Sequence, residues 1–192
     1  MEQYKLEHLT QQAYDEAHEL CLRPGMGEVV NRMTVLYGPP RARPDLALIS
    51  FQGGAEDPTP SLTTWPRRLR YLDSPYKFGR NLRRYFDQAG LERVLEANTV
   101  AMAAVFPEAP ACDARKWMAR TGPRARWRRF SSQWVRRLLL AMQPRAILVF
   151  GHRASVSLGI DDEWVDEVYA NHRGRVFARG HFFGSPAVYC HH

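Results

Sequence analysis

Two short apolar runs that end abruptly in glycine constrain this chain more than any other feature. Residues 145–151 read RAILVFG, and residues 46–54 read LALISFQGG. Such runs, with helical patterns on either side, are typical of buried strands in a parallel sheet, because helices cover both faces of that sheet. Ligands of open parallel sheets bind beyond the carboxyl ends of the strands. A functional site is therefore expected near Gln52 and near Gly151.

The spacing of the other apolar residues predicts further elements around those runs. Helices are expected over residues 2–21, 78–91, 130–142 and 152–158, and strands over residues 46–52, 99–106, 145–150, 175–183 and 187–191. Alternation of this kind favours an α/β fold, a three-layer α/β/α sandwich around a mainly parallel four-stranded sheet. We expect residues 1–192 to form a single domain, with residues 1–44 as an N-terminal helical extension packed on it.

Size and composition exclude several classes of protein. Hydrophobic residues make up 45% of the 192 residues, enough for a core without metal or disulfide staples. The longest apolar runs fall short of the roughly 20 residues that cross a bilayer, and the first residues do not read as a secretory signal. We therefore expect a soluble, cytoplasmic protein with no membrane partner. Cys21, Cys112 and Cys190 lack the spacings of zinc or iron–sulfur sites, so no metal and no cofactor is expected.

The chain is basic, and its positive charge is clustered. The formal net charge is +7, and residues 67–70, 80–84 and 115–129 carry most of the excess as arginine. Guanidinium groups match the geometry of phosphate, and the last cluster, RKWMARTGPRARWRR, interleaves Trp117 and Trp127 with its charges. This combination favours a nucleic-acid partner. A solvated helix face that keeps the protein soluble is the alternative explanation.

The order of several segments resembles the uracil-DNA glycosylase superfamily, from residue 46 to the end of the sequence. The segments are FGRNLRRYFDQAGL, the triplet that begins at Asn98, QPRAILVFG and VYCHH. The resemblance implies a uracil-DNA glycosylase-like fold and a monofunctional DNA glycosylase. Such an enzyme hydrolyses the N-glycosidic bond of a flipped-out uracil-like or modified pyrimidine base and leaves an abasic site. It would act on DNA as a monomer inside a bacterial or phage-related cell, in repair or in defence against modified phage DNA.

The chain departs from the superfamily pattern at both of its catalytic motifs. Residues 50–54 read SFQGG where the superfamily has a motif such as Gly-Gln-Asp-Pro, so Gln52 takes the water-positioning place and Gly53 replaces a proline. The superfamily's histidine is commonly followed by Pro-Ser; this sequence stops at His192, so that pair is either missing or lies beyond the last residue given. The branches that hold an iron–sulfur cluster need four cysteines, which excludes such a cluster in this chain.

Hydrolysis of an N-glycosidic bond requires a positioned water and a donor to the leaving base. Gln52 can orient the water through its amide but cannot deprotonate it, and Glu56 or Asp57 would supply a carboxylate. The two acids also suit an ordinary turn before a proline. His191 or His192 would donate to the base, with His192 preferred because the superfamily places its histidine just past the strand end. Exposed, frayed histidines, or part of a tag, are the alternative.

Other residues are candidates for contacts with the base and with the DNA backbone. An amide can pair with a pyrimidine edge and an aromatic ring can stack on it, which gives the base-binding candidates Asn98, Phe51, Trp65 and Tyr76. Each also has an ordinary reading, as turn chemistry or as packing. Backbone N–H groups at a helix start and arginine side chains attract phosphate. The DNA-backbone candidates are Gly53, Gly54, Gly151, His152, Arg153, Arg124, Arg126 and Arg128.

Two other functions are compatible with the same sequence. A nucleic-acid-binding module with a degenerate catalytic site would keep the sandwich and the arginines without turnover. A small-molecule nucleotide hydrolase or transferase on a flavodoxin-like sheet is the other alternative. It lacks support because no phosphate loop of the Gly-x-x-x-x-Gly-Lys type is present.

Overall fold

The computed structural model describes residues 2–53, 63–73, 76–110, 113–171 and 174–191. Within those ranges the helices are α1 (Gln3–Cys21), α2 (Arg70–Asp73), α3 (Lys77–Gln88), α4 (Glu92–Ala97), α5 (Gly122–Met142) and α6 (His152–Leu158). The strands are β1 (Arg32–Met33), β2 (Leu46–Ser50), β3 (Thr99–Ala103), β4 (Pro107–Glu108), β5 (Ile147–Phe150), β6 (Asp166–Ala170), β7 (Gly174–Phe182) and β8 (Ser185–Cys190).

The main sheet is mostly parallel, and its strand order is β3-β2-β5-β8-β7-β6. Strands β3, β2, β5 and β8 run parallel, whereas β7 pairs antiparallel with both β8 and β6. The prediction of four strands was therefore wrong, since the described residues form six. Strand β6 was missed because every residue in it is exposed, so this edge strand carries no apolar run. Strands β1 and β4 form a separate small antiparallel pair.

Helices pack on both faces of the sheet, as the mixed α/β pattern predicted. Alternate residues of the parallel strands point to opposite faces, so Ala47 and Ile49 contact one core while Leu48 contacts the other. The larger core includes buried residues of α1, α5 and α6, and the smaller one includes buried residues of α3 and α4. The strands are apolar throughout because both of their faces are covered there.

Helix α5 begins earlier than the predicted helix over residues 130–142. Its first residue is Gly122, and Pro123 occupies the first turn, where a missing N–H is tolerated. Most of the arginine-rich segment is therefore helical and continuous with the amphipathic run that follows it. Helix α1 packs beside α5, and Trp134 Nε1 donates a hydrogen bond to Glu16 Oε2 at 3.0 Å. None of the described helices combines the length and apolar character needed to span a bilayer.

Candidate functional site

The ends of strands β2, β5 and β8 lie along one side of the sheet, which we call the carboxyl edge. Gln52 comes shortly after β2, Gly151 directly follows β5 and His191 directly follows β8. Gly151 N donates to Cys190 O at 2.9 Å, so pairing continues up to this edge. Because neighbouring strands lie about 4.8 Å apart, the ends of β2 and β8 are about 10 Å apart across β5. The topology thus brings Gln52, Gly151 and His191 to the same edge.

Gln52 is held by its amide nitrogen. Its Nε2 donates to Ala109 O at 3.0 Å, and the preceding Phe51 O accepts from Val105 N at 2.9 Å. Its Oε1 is buried, and no described residue donates a hydrogen bond to it. Buried polar atoms are nearly always satisfied, by protein or by water. An amide with a fixed nitrogen and a buried, unsatisfied oxygen is therefore suited to hold one ordered water molecule.

A buried carboxylate that the sequence analysis did not identify lies beside this loop. The Glu108 side chain is 1% exposed, and its Oε2 is 2.5 Å from Arg32 Nε. Its Oε1 is 3.7 Å from Arg70 Nη1 and accepts a hydrogen bond from the Tyr37 hydroxyl at 3.2 Å. Burial, and then the Glu108 charge, raise the pKa of Tyr37 well above its usual value. We call these four residues the Glu108 cluster.

The Glu108 cluster explains why Gly53 is a glycine. A Cβ at this position would lie 2.1 Å from the Tyr37 hydroxyl oxygen and 2.8 Å from Glu108 Oε1. Ala109 N also donates to Gly53 O at 3.2 Å, which ties the end of β2 to the segment after β4. Packing alone therefore accounts for the glycine at this position. The DNA-backbone contact that the sequence suggested for Gly53 is not needed to explain it and stays a prediction. The other candidates Gly54, Glu56, Asp57 and His192 lie outside the described residues.

Aromatic rings connect the Glu108 cluster to the end of β5. The rings of Tyr37 and Tyr71 stack at 5.7 Å between centroids, and Tyr71 meets Phe78 edge-on at 5.1 Å. Phe78 in turn meets Phe150, the last residue of β5, at 5.1 Å. Burial raises the pKa of Tyr71 to about 12. Phe78 and Phe150 remain partly exposed, so they offer ring surface at the carboxyl edge.

Asn98 lies at the opposite edge of the sheet from Gln52. It precedes β3, and its carbonyl oxygen accepts from Asp45 N just before β2 begins. A parallel strand of five residues places this edge about 17 Å from the carboxyl edge. Asn98 therefore does not share a pocket with Gln52 and His191, as its suggested contact with the base would require.

The aromatic residues predicted to contact the base are divided in the structure. Phe51 and Trp65 are partly buried and pack against the larger core. Tyr76 directly precedes α3 and is 43% exposed. Phe78, in α3, was also considered from the sequence as a ring that could stack on the base. Phe150 was not, because its contact with Phe78 joins residues far apart in the chain.

A second polar group surrounds His152 where α6 begins. His152 Nδ1 lies 3.2 Å from Asp161 Oδ1, and Asp161 also pairs with Arg175. Arg175 is largely buried; its Nη1 lies 3.2 Å from Glu167 Oε2, and its guanidinium lies over the Tyr189 ring. The Gly151 N–H is already used within the sheet, which leaves it unavailable for the predicted phosphate contact. Arg153 is exposed on the first turn of α6.

The arginine-rich segment has a different character from the one predicted. Trp117 and Trp127 are 2% and 0% exposed, and Trp127 Nε1 donates to Met26 O at 3.0 Å. The prediction that these tryptophans lie among surface charges was therefore wrong, and they cannot stack on bases. Arg128 Nη1 donates to Trp117 O at 3.2 Å. Arg124 and Arg126 are the other candidate arginines of this segment. Arg124 lies over the Trp117 ring, whereas Arg126 is exposed to solvent.

Comparison with known proteins adds no identification. Neither the family models nor the curated proteins include a match to this chain. Among the described residues, no group of three or more His, Cys, Asp or Glu side chains could hold a metal ion. Cys21 and Cys190 form no disulfide, and burial raises the pKa of the Cys190 thiol.

Proposed function

We propose that this protein is a monofunctional DNA glycosylase of the uracil-DNA glycosylase type. It extrudes a uracil-like or modified pyrimidine nucleotide and hydrolyses the bond between sugar and base. One observation carries the proposal: Gln52 and His191 follow parallel strands that flank β5, about 10 Å apart at the same edge of the sheet. A single extruded nucleotide fits between two groups at that separation, with one group on the sugar side and the other on the base side.

On the sugar side, Gln52 supplies the oxygen that orients the water. Its Nε2 is held by Ala109 O, so Oε1 is the free end of the amide. The anomeric carbon gains oxocarbenium character as the bond breaks, and the oriented water attacks it. Glu56 or Asp57, four and five residues after Gln52 in the sequence, would receive the proton of that water.

On the base side, His191 or the adjacent His192 donates to the departing base. The base gains negative charge as the bond lengthens, and a donor that meets this charge stabilises the transition state more than the substrate. The backbone N–H of His191 is bonded to Val176 O at 3.0 Å, which fixes where the chain leaves β8. With Asn98 at the other edge, Phe78 and Phe150 are the groups we assign to contact the flat face of the base.

Base release from defined duplexes tests the proposal. Duplexes with uracil or with bulky modified pyrimidines are incubated with the protein, and alkali then breaks the strand at abasic sites. We expect His191→Ala or His192→Ala to slow breakage by about 10²- to 10⁴-fold. Gln52→Ala should slow it by about 10²-fold because the water is no longer oriented.

The matched controls replace residues of the same types away from the carboxyl edge. His181→Ala, on the exposed side of β7, and Gln88→Ala, at the end of α3, should leave the rate unchanged. Equal activity in the parent and in the three variants at His191, His192 and Gln52 would remove the assignment. A complete absence of base release from every duplex, with intact DNA binding, would favour the nucleic-acid-binding module instead.

A further inference from the structure

A groove rich in arginine lies between α5 and α6, in the helical layer on one face of the sheet. Its volume is about 340 Å³, within the range of small-ligand sites. Arg128, Arg129 and Arg136 line it from α5, and the end of α6 forms its other wall. Ser132 and Ser157 add hydroxyl groups. We call this feature the α5–α6 groove.

Protein contacts already orient two of the three arginines. Arg136 donates from Nε and Nη2 to Leu158 O, at 3.1 and 2.8 Å. Arg128 donates from Nη1 to Trp117 O, as described above. Neutral backbone carbonyls accept these bonds, so both guanidinium groups keep their full positive charge. Arginines held in place in this way lose little further freedom when they bind an anion.

Few acidic side chains of the described residues lie near the arginines of the groove, although Glu16 of α1 lines a neighbouring cavity with Arg136 and Arg137. Helix α5 contains no acidic residue, and none of the three arginines forms an ion pair with a described carboxylate. Burial, and then the charge of Arg129, lower the pKa of Arg128, which shows that these like charges act on each other. A bound anion would relieve this repulsion.

The charge also continues beyond the groove along the outer face of α5. Arg126, Arg129, Arg136 and Arg137 are all exposed. The stretch from Arg126 to Arg137 rises about 16 Å at 1.5 Å per residue. This length matches roughly five nucleotides of one strand at 3.4 Å each, and exceeds the size of a single phosphate.

We propose that the α5–α6 groove and the outer face of α5 bind the phosphate backbone of a nucleic acid. This surface holds DNA outside the carboxyl edge and independently of base hydrolysis. Phosphate oxygens accept hydrogen bonds from guanidinium groups and from serine hydroxyls. Such contacts do not depend on the base sequence. The contact therefore raises affinity for any duplex without selecting a base.

Salt-dependent binding of an unmodified fluorescent DNA duplex tests this proposal. Arg129→Gln with Arg136→Gln should weaken binding and reduce the slope of log K against log salt by about 2, one unit for each lost phosphate contact. Arg84→Gln with Arg93→Gln removes the same charge from α3 and α4, in the layer on the other face of the sheet. This control pair should reduce the slope by less than half of the reduction expected for the Arg129 and Arg136 pair.

Further experiments distinguish a loss of backbone contacts in the groove from a folding defect, from the binding of small anions and from a loss of catalysis. Arg129→Gln with Ser132→Asp leaves the Arg136 contacts intact and should weaken binding equally, with an unchanged unfolding midpoint. Inorganic pyrophosphate should compete only weakly if the site takes an extended backbone, and full competition at low concentration would instead assign a free phosphate. Equal slopes for the groove and control variants would overturn the proposal. Base release by the groove variants at saturating DNA would remain, so failure here is distinguishable from failure of the glycosylase proposal.

Discussion

At the scale of single residues, the most constrained position is Gly53. Its α-carbon faces the Tyr37 hydroxyl and the Glu108 carboxylate, which are themselves held by hydrogen bonding and ion pairing. Both atoms are the ends of side chains, but Tyr37 and Glu108 are buried and anchored, so neither can move aside at low cost. Gly53 thus joins the loop that carries Gln52 to a buried ionic group, and the position of the amide depends on this contact.

Gly53→Ala should lower the free energy of unfolding by about 1–3 kcal/mol, because the new methyl group overpacks a closed site. Chemical denaturation of the parent and the variant measures this change. Tyr37→Phe removes the hydroxyl that the methyl group meets. The double variant should therefore lose less stability than the sum of the two single variants. Strict additivity would show that the Tyr37 hydroxyl does not limit the space at Gly53.

At the scale of elements, the ring series from Tyr37 to Phe150 joins α2 and α3 to the ends of β2 and β5. Tyr71 lies in α2, Phe78 in α3 and Phe150 in β5. Each ring meets the next at 5.1 to 5.7 Å, within the range of favourable aromatic pairs. Arg83 Nη1 also donates to the carbonyl oxygens of Tyr71 and Leu72, so the ring series and these hydrogen bonds together hold α2 against α3.

Tyr71 should make the protein sensitive to alkali. In the folded state its hydroxyl keeps its proton up to a pKa of about 12, whereas an unfolded tyrosine loses it near 10. Between these values the folded state binds more protons, so stability falls as pH rises, by about 1.4 kcal/mol per pH unit for this residue. Tyr71→Phe should reduce the steepness of that fall by the same amount.

Unfolding free energies measured between pH 10 and pH 12 check the Tyr71 prediction. Tyr14 and Tyr37 are also buried with raised pKa values, so some fall should persist in the variant. Tyr4→Phe is the control, because Tyr4 is 74% exposed, and it should leave the steepness unchanged. An equal effect of both substitutions would contradict the role of burial at Tyr71.

At the scale of the whole molecule, strand direction decides which residues share a site. Gln52 follows β2, whereas Asn98 precedes the neighbouring strand β3. Because the strands are parallel, the two side chains lie at opposite edges of the sheet. The same direction rule brings Gln52, His152 and His191 together although they are far apart in the chain.

If base release is observed, Asn98→Ala should leave its rate unchanged. The residue lies about 17 Å from the carboxyl edge, too far for any contact with a base held there. The comparison is made against Gln52→Ala with the same duplex under single-turnover conditions. A loss of rate from Asn98→Ala comparable to that from Gln52→Ala, with an unchanged fold, would mean that the base is not bound at the carboxyl edge.

Much of the fold follows from local pattern. The strands predicted over residues 46–52 and 145–150 became β2 and β5 with slightly shorter bounds, and the helix over 152–158 begins and ends where the pattern placed it. Strand β6 and the start of α5 were missed, since an exposed edge strand and a basic helical turn lack the apolar periodicity on which the prediction depends. The burial of Trp127 was also hidden, because the partner of its indole, Met26, lies 101 residues away in the chain.

The sequence by itself determined which stretches become strands and helices, because those patterns depend on neighbours within a few positions. It also placed Gln52 and His191 at the ends of predicted strands and Gly151 just beyond one. Only the tertiary structure decided that Glu108 meets Arg32 and Tyr37 beside Gly53, that Asn98 lies at the far edge, and that charge is left uncompensated along α5. These features depend on strand order, strand direction and packing between distant segments. They bring together side chains that lie far apart in the chain, so the spacing of those residues in the sequence does not predict their contact.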